Sequence, residues 1–164
     1  MNIFILDSDP KVSAQYHTDK HIVKMPTETA QMISFVYHDV NFWDDNIPDF
    51  IMGFSKSHYN HPCSIWIRES LSNFIYACSF GEELIKEYDY RFDGKKHLRA
   101  RQIFDFAKNN LPKIDDKGLT PFAEAMDDKY KLFDSAILNY REYYKSGKSH
   151  LFNWKNRETP NFII

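Results

Sequence analysis

Between Ala14 and Gln31 the chain reads AQYHTDKHIVKMPTETAQ, and its polar residues recur at helical spacing. His17, Lys20, His21, Lys24, Glu28 and Gln31 share a stripe of roughly 100° on a helix of about 3.6 residues per turn. The ordinary reading of such a stripe is a solvated face with incidental histidines. Yet this set makes no simple i,i+4 ladder of opposite charges. The alternative is a row of groups that donate, accept and carry charge near neutral pH, all aimed at one ligand, with Asp19 beside them as a further proton acceptor.

A second group lies near the other end. Arg141, Lys145, Lys148, Lys155 and Arg157 face a single acid, Glu142, between Asn139 and Arg157. They alternate with Tyr140, Tyr143, Tyr144, His150, Phe152 and Trp154. Cations beside stacking rings suit an unpaired nucleotide or a phosphate backbone; the alternative is a helix that packs its rings into the core behind a charged rim. The acids gather elsewhere, at Asp39, Asp44, Asp45 and Asp49 and again at Asp115, Asp116, Asp127 and Asp128, which permits one basic face despite a net charge of -2.

Metal and thiol chemistry have weaker grounds. His17 and His21 stand at i,i+4 with Glu28 two turns on, but the zinc-peptidase pattern needs Glu directly after the first His, where this chain has Thr18. His58, His61 and Cys63 read as capping and packing groups at a helix start. Cys63 and Cys78 fall in apolar contexts that raise a thiol pKa. Neither a metal nor another cofactor is expected.

The elements that position these groups are read as helices. Asp9-Pro10 is a cap and first-turn pair, so a first helix begins there, with Ile22, Met25, Thr29, Met32, Ile33 and Val36 as its core stripe. Pro26 predicts a kink or break between Lys24 and Thr27. Asn41 to Gly53 reads as a loop. His58 to Pro62 repeats the cap-then-proline signal and opens a long helix to about Tyr88, with Ile67, Leu71, Phe74, Cys78 and Ile85 inward. Arg91 to Lys96 holds an Asp93-Gly94 turn, His97 to Lys108 is helical, and Leu111 to Thr120 is a loop. Thr120-Pro121 predicts a short helix, and Asp134 caps another that runs to about Lys145 and ends at Gly147. Before the first helix, Ile3 to Leu6 is a short buried strand or an extended anchor, and the last residues are irregular.

With 164 residues, 43% of them hydrophobic, the chain suits one globular domain over 1–164, an all-α compact helical bundle. Two cysteines fifteen residues apart on one helix would stand ~22 Å apart, too far for a disulfide. The four-residue apolar run at the start is too short for a signal peptide or a membrane span, so a reducing cytosol is the expected compartment and no membrane partner is expected.

Several of these features together resemble the pyrimidine-dimer DNA glycosylase family, the phage endonuclease V type. Ala14, Gln15, His17 and Pro26 are similar to that family's first helix. Tyr59, His61, Pro62 and Arg68, then Tyr90, Arg91 and Phe92, look like segments of its bacterial relatives. Tyr140 to Lys145 with Gly147 and Lys148 is similar to the aromatic, basic tail the family places on DNA. The opening pattern Asp7, Asp9-Pro10, Tyr16-His17, Asp19-Lys20-His21 and Lys24-Met25 also resembles a group of uncharacterised phage proteins. The resemblance implies a compact all-helical enzyme that removes damaged pyrimidines and nicks the abasic site, in a host cell's cytoplasm if phage-encoded.

It implies an amine nucleophile at the processed N-terminus, with an ordinary pKa of about 8. Asn2 is too large for efficient removal of Met1, so the amine falls to Met1, with Lys20 and Lys24 as the other candidates. The family's acid just before the proline corresponds to Lys24 here, so the carboxylate role passes to Glu28, through a kink at Pro26, or to Asp19. His17, His21, His61, Asn73, Arg68 and Arg91 would hold phosphate or polarise a base, and Tyr140, Tyr143, Tyr144 and Trp154 would stack on an extruded nucleotide, with Arg141, Lys145, Lys148, Lys155 and Arg157 on the backbone. Two other functions fit the same residues: a non-catalytic module binding nucleotide, nucleic acid or a host protein, and a metal-dependent nuclease using His17, His21 and Glu28.

Overall fold

The computed structural model describes residues 1–51, 58–94 and 96–164, so Met52 and Gly53 of the expected loop and Lys95 of the expected turn lie outside the described residues. Among the described residues the chain forms six α-helices and no strand, the all-α class expected.

The Asp9 carboxylate accepts from the Lys11 and Val12 amides and Pro10 supplies the first residue of α1 (Pro10–Tyr16). The first helix then stops, earlier than expected. His17 and Thr18 are extended, and the chain restarts as α2 (Asp19–Tyr37), which runs unbroken through Pro26. The break belongs at His17 because Arg91 supplies partners there. Its guanidinium donates to the carbonyls of Gln15 (2.8 Å) and His17 (2.8 Å), groups that the end of a helix leaves open. Pro26 costs a helix about 3 kcal/mol, which the burial of Ile22, Met25, Met32, Ile33 and Val36 on α2 outweighs.

The long helix expected from His58 is two helices. His61 caps α3 (Pro62–Glu69), Ser70 is extended, and α4 (Leu71–Phe92) follows. The division is set by Asp116, whose carboxylate accepts from the Ser70 hydroxyl and from the Ser72 amide and hydroxyl. Cys63 and Cys78 therefore stand on different helices, both as buried free thiols. Asp93 ends α4 in the left-handed region at φ 47, and α5 (Leu98–Asn109) follows.

No helix forms after Thr120-Pro121. Thr120 is held by Asn73 instead, donating its amide to Asn73 Oδ1 (3.0 Å) and accepting on Oγ1 from Asn73 Nδ2 (2.7 Å), and the chain stays irregular up to a 3-10 turn at Asp128–Tyr130. α6 (Ala136–Gly147) is capped by Ser135, one residue later than expected, and ends on Gly147. α2 packs on α3, α4 and α5, and α1 packs on α4. One continuous hydrophobic core runs from Ile3 to Tyr144 in sequence. No helix among the described residues is long and apolar enough to cross a membrane.

The extended N-terminal segment is the least ordinary part of this core. Ile3 to Leu6 are buried, and without strand partners their polar backbone is met by side chains. The Leu6 amide donates to Ser13 Oγ (3.0 Å), and Arg141 Nε donates to the Leu6 carbonyl (2.8 Å).

Candidate functional site

The helix break and the buried N-terminal segment together bring the chain's amine to α2. The Met1 amine lies 3.6 Å from Glu28 Oε2, and the Asn2 backbone N–H donates to the same oxygen at 3.2 Å. Lys24, one turn earlier, places its Nζ 2.8 Å from Glu28 Oε1. Glu28 thus reaches the amine on an α2 that continues through Pro26 without a break. Its side chain is 12% exposed, while Lys24 is 65% exposed, so the acid is recessed and the lysine stands at the rim.

Asn2 fixes this geometry. Its side-chain nitrogen donates to the Ala125 carbonyl at 2.9 Å, and its oxygen accepts from the Cys63 thiol at 3.4 Å and the Tyr140 hydroxyl at 3.0 Å. Tyr140 is anchored in turn by the Ala125 amide and the Ala123 carbonyl. Nothing in the local sequence announced this role for Asn2, because its partners lie 61 to 138 residues away.

Histidines border the site on two sides. His21 is buried, stacked on Phe4 with ring centroids 4.6 Å apart, and its Nδ1 is hydrogen-bonded with the Tyr144 hydroxyl. Burial above all, with His17, Lys148 and Lys24 adding unfavourable positive charge against the favourable Glu28, lowers its pKa to about 3. The pKa of His61 is lowered too, by burial first, then by the positive N-terminal amine and His58, while Glu28 opposes. Its Nδ1 accepts from the Cys63 amide at 3.2 Å. The site therefore holds one recessed carboxylate, two amines and two histidines biased towards neutrality.

Other expected residues do structural work. His17 does not share the stripe on α2. It sits fully buried at the end of α1 with its Nδ1 2.7 Å from the Ser13 carbonyl, and burial, outweighing that bond, lowers its pKa to about 4. Asp19 is not a free base: it accepts from Arg91 (2.9 Å), Asn153 (2.6 Å) and the Lys155 amide. Arg91 is fully enclosed between Asp19 and Glu87 and cannot touch a ligand. Asn73 is buried on the Trp66 carbonyl and Thr120. Tyr140 and Tyr144 have no exposed surface, so neither can stack on a base. Trp154 is buried and donates to the Tyr16 carbonyl at 2.9 Å.

The basic tail is partly neutralised. Arg141 is paired with Asp7 (3.0 Å), and Arg157 makes a two-pronged pair with Glu87 (3.0 and 2.8 Å). Arg68 lies 3.7 Å over the Tyr59 ring and donates to the Tyr59 carbonyl at 2.9 Å. Of the tail, Lys145 and Lys155 remain exposed, with Tyr143 half-buried beneath Lys148 at 4.8 Å. The tail's aromatic residues thus follow the packing alternative more than the binding one.

Among the described residues no three His, Cys, Asp or Glu side chains converge as metal ligands. His17, His21 and Glu28 therefore do not form the ligand set the nuclease alternative needs. Burial pushes the Cys63 thiol up to about 11 and the Cys78 thiol higher, as their apolar contexts implied. No family model, curated protein or solved structure matches the chain.

Proposed function

We propose that the protein is a DNA-acting glycosylase and abasic-site lyase in which the Met1 amine is the nucleophile and Glu28 handles its protons. The observation that carries this reading is the recessed Glu28 carboxylate 3.6 Å from the Met1 amine, with the next backbone amide bonded to the same oxygen. An amine attacks only when unprotonated, and a carboxylate at that distance is placed to take its proton. The amine nitrogen bonds to the sugar C1′ as the C1′–N bond to the base breaks. The base leaves with the bonding electron pair and a proton, and the sugar ring opens to an iminium joined to Met1. Removal of the adjacent C2′ proton then expels the 3′ phosphate. Lys24 at the rim offers positive charge to a strand phosphate, and His21 and His61, whose pKa values burial lowers, offer hydrogen bonds.

Borohydride reduces such an iminium to a stable amine and so traps protein on DNA. Incubation with oligonucleotides bearing an abasic site or a pyrimidine dimer is expected to give a trapped adduct that peptide mapping assigns to Met1. Glu28→Gln is expected to lower trapping by about 100-fold or more, and a short extension ahead of Met1 to abolish it. An adduct on Lys24, or none on any pyrimidine lesion or abasic site, overturns the mechanism; binding without trapping favours a module that recognises nucleic acid without reacting on it.

A further inference from the structure

A groove of about 480 Å³ lies beside the break between α1 and α2, lined by Asp19, Lys20, Val23, Phe92, Asn153 and Lys155. Its charges are unequal. Asp19 is matched by Arg91 (2.9 Å), and its oxygens also accept from Asn153 and the Lys155 amide, which leaves the Lys20 and Lys155 ammonium groups as the groove's uncompensated charge. Both lysines are exposed, and neither is ion-paired among the described residues. Between them the walls are apolar: Val23 is 45% exposed, and Lys155 Nζ stands 5.6 Å from the centroid of the half-buried Phe92 ring. Two free cations over an apolar floor fit an anion carrying a flat or apolar body, which is the chemistry of a nucleotide unit.

The position of the groove decides which nucleotide. Lys20, Lys24 and Glu28 follow one another at i,i+4 along the same face of α2, so the groove and the Glu28 site are two ends of one row. Eight residues of helix put them ~12 Å apart, a span of a few nucleotides along a strand. We propose that this groove holds the backbone of the same nucleic-acid strand whose sugar reaches Glu28, a few nucleotides away, with Lys20 and Lys155 on phosphate and Phe92 and Val23 against sugar or base. The inference rests on nucleic acid being the substrate, as argued above. It makes the protein a reader of strands, not of free nucleotides.

The test measures binding and uses no chemistry. Fluorescence anisotropy with an oligonucleotide of about 20 nucleotides bearing an abasic site is followed across salt concentrations for the wild-type chain, Lys20→Ala, Lys155→Ala and the double variant. Each substitution is expected to weaken binding several-fold and to flatten the slope of log K against log salt by about 1, with Lys20→Arg restoring it. Lys117→Ala, on the segment bonded to Ser70, is expected to change neither beyond the general effect of one surface charge. An unchanged slope in the double variant overturns the proposal. So does equal affinity for a deoxynucleoside monophosphate, which would make the groove a pocket for single nucleotides, or the absence of binding by the wild-type chain. A flattened slope in a protein that traps no DNA leaves the strand path standing and removes the lyase reading; trapping with an unchanged slope does the reverse.

Discussion

At His17 the imidazole is closed off from water, and burial holds its pKa at about 4 against an ordinary 6.5. His21 is held at about 3 for the same first reason. In the unfolded chain both take a proton near pH 6.5, whereas in the folded protein they refuse one until the pH is far lower. Unfolding therefore takes up protons below pH 6.5, and stability falls as the pH falls through that window, by up to about 1.4 kcal/mol per pH unit for each histidine. Above pH 7 both states are neutral and the term is constant. Urea unfolding between pH 7 and 5 is expected to show this slope, and His17→Gln to remove about one proton of it; a slope unchanged by the substitution would place the lost stability elsewhere. Single residues were the most legible in type and the least in role. His21, Lys24 and Glu28 could be picked out from their spacing, but the same spacing drew in His17, whose burial is decided by a break that Arg91 stabilises from 74 residues away.

The helices show where local signals suffice. Asp9-Pro10 and His61-Pro62 carry their caps within three residues, and both helix starts were readable. The divisions at His17 and Ser70 were not, because Arg91 and Asp116 impose them across the fold. Pro26 does not break α2 for the complementary reason: its local cost is outweighed by a buried stripe on both sides of it. The packing of α4 against α5 gives a sharper test. A Cβ on Gly81 would collide with the ring of Phe104, which is buried in the core and has little room to turn. Gly81→Ala removes a flexible residue from a helix interior, which alone would favour α4 by roughly 0.5–1 kcal/mol. Overpacking typically costs 1–3 kcal/mol, so net destabilisation of about 1–2 kcal/mol is expected in chemical unfolding. A gain in stability would mean that Phe104 moves aside.

Across the whole molecule, the C-terminal stretch acts as a strap over the first two helices and α4. Asn153 and Lys155 hold Asp19, Trp154 holds the carbonyl of Tyr16, and Arg157 grips Glu87, which is buried and also bound by Arg91. The tail's basic and aromatic residues looked like a binding surface because composition does not report whether a cation already has its acid. Removing residues 153–164 is expected to destabilise the fold by several kcal/mol, since Asp19 loses its bonds from Asn153 and the Lys155 amide, each to a charged group and worth about 1.5–3 kcal/mol, and the buried Trp154 is lost. The measurement is the shift in urea midpoint, and a truncated chain as stable as the full one would assign the strap no structural weight.

The buried segment from Ile3 to Leu6 sets an order of events during synthesis. The Phe4 ring meets Tyr140 and Tyr144 and the Leu6 carbonyl accepts from Arg141, so this segment, made more than a hundred residues before α6, waits for that helix before it can dock. At about 5–20 residues per second, that interval lasts roughly seven to thirty seconds. Throughout it, four apolar residues lie open to chaperones, and the amine has no fixed place beside the carboxylate. The pairing of the Met1 amine with Glu28 is thus completed only when α6 closes over this segment.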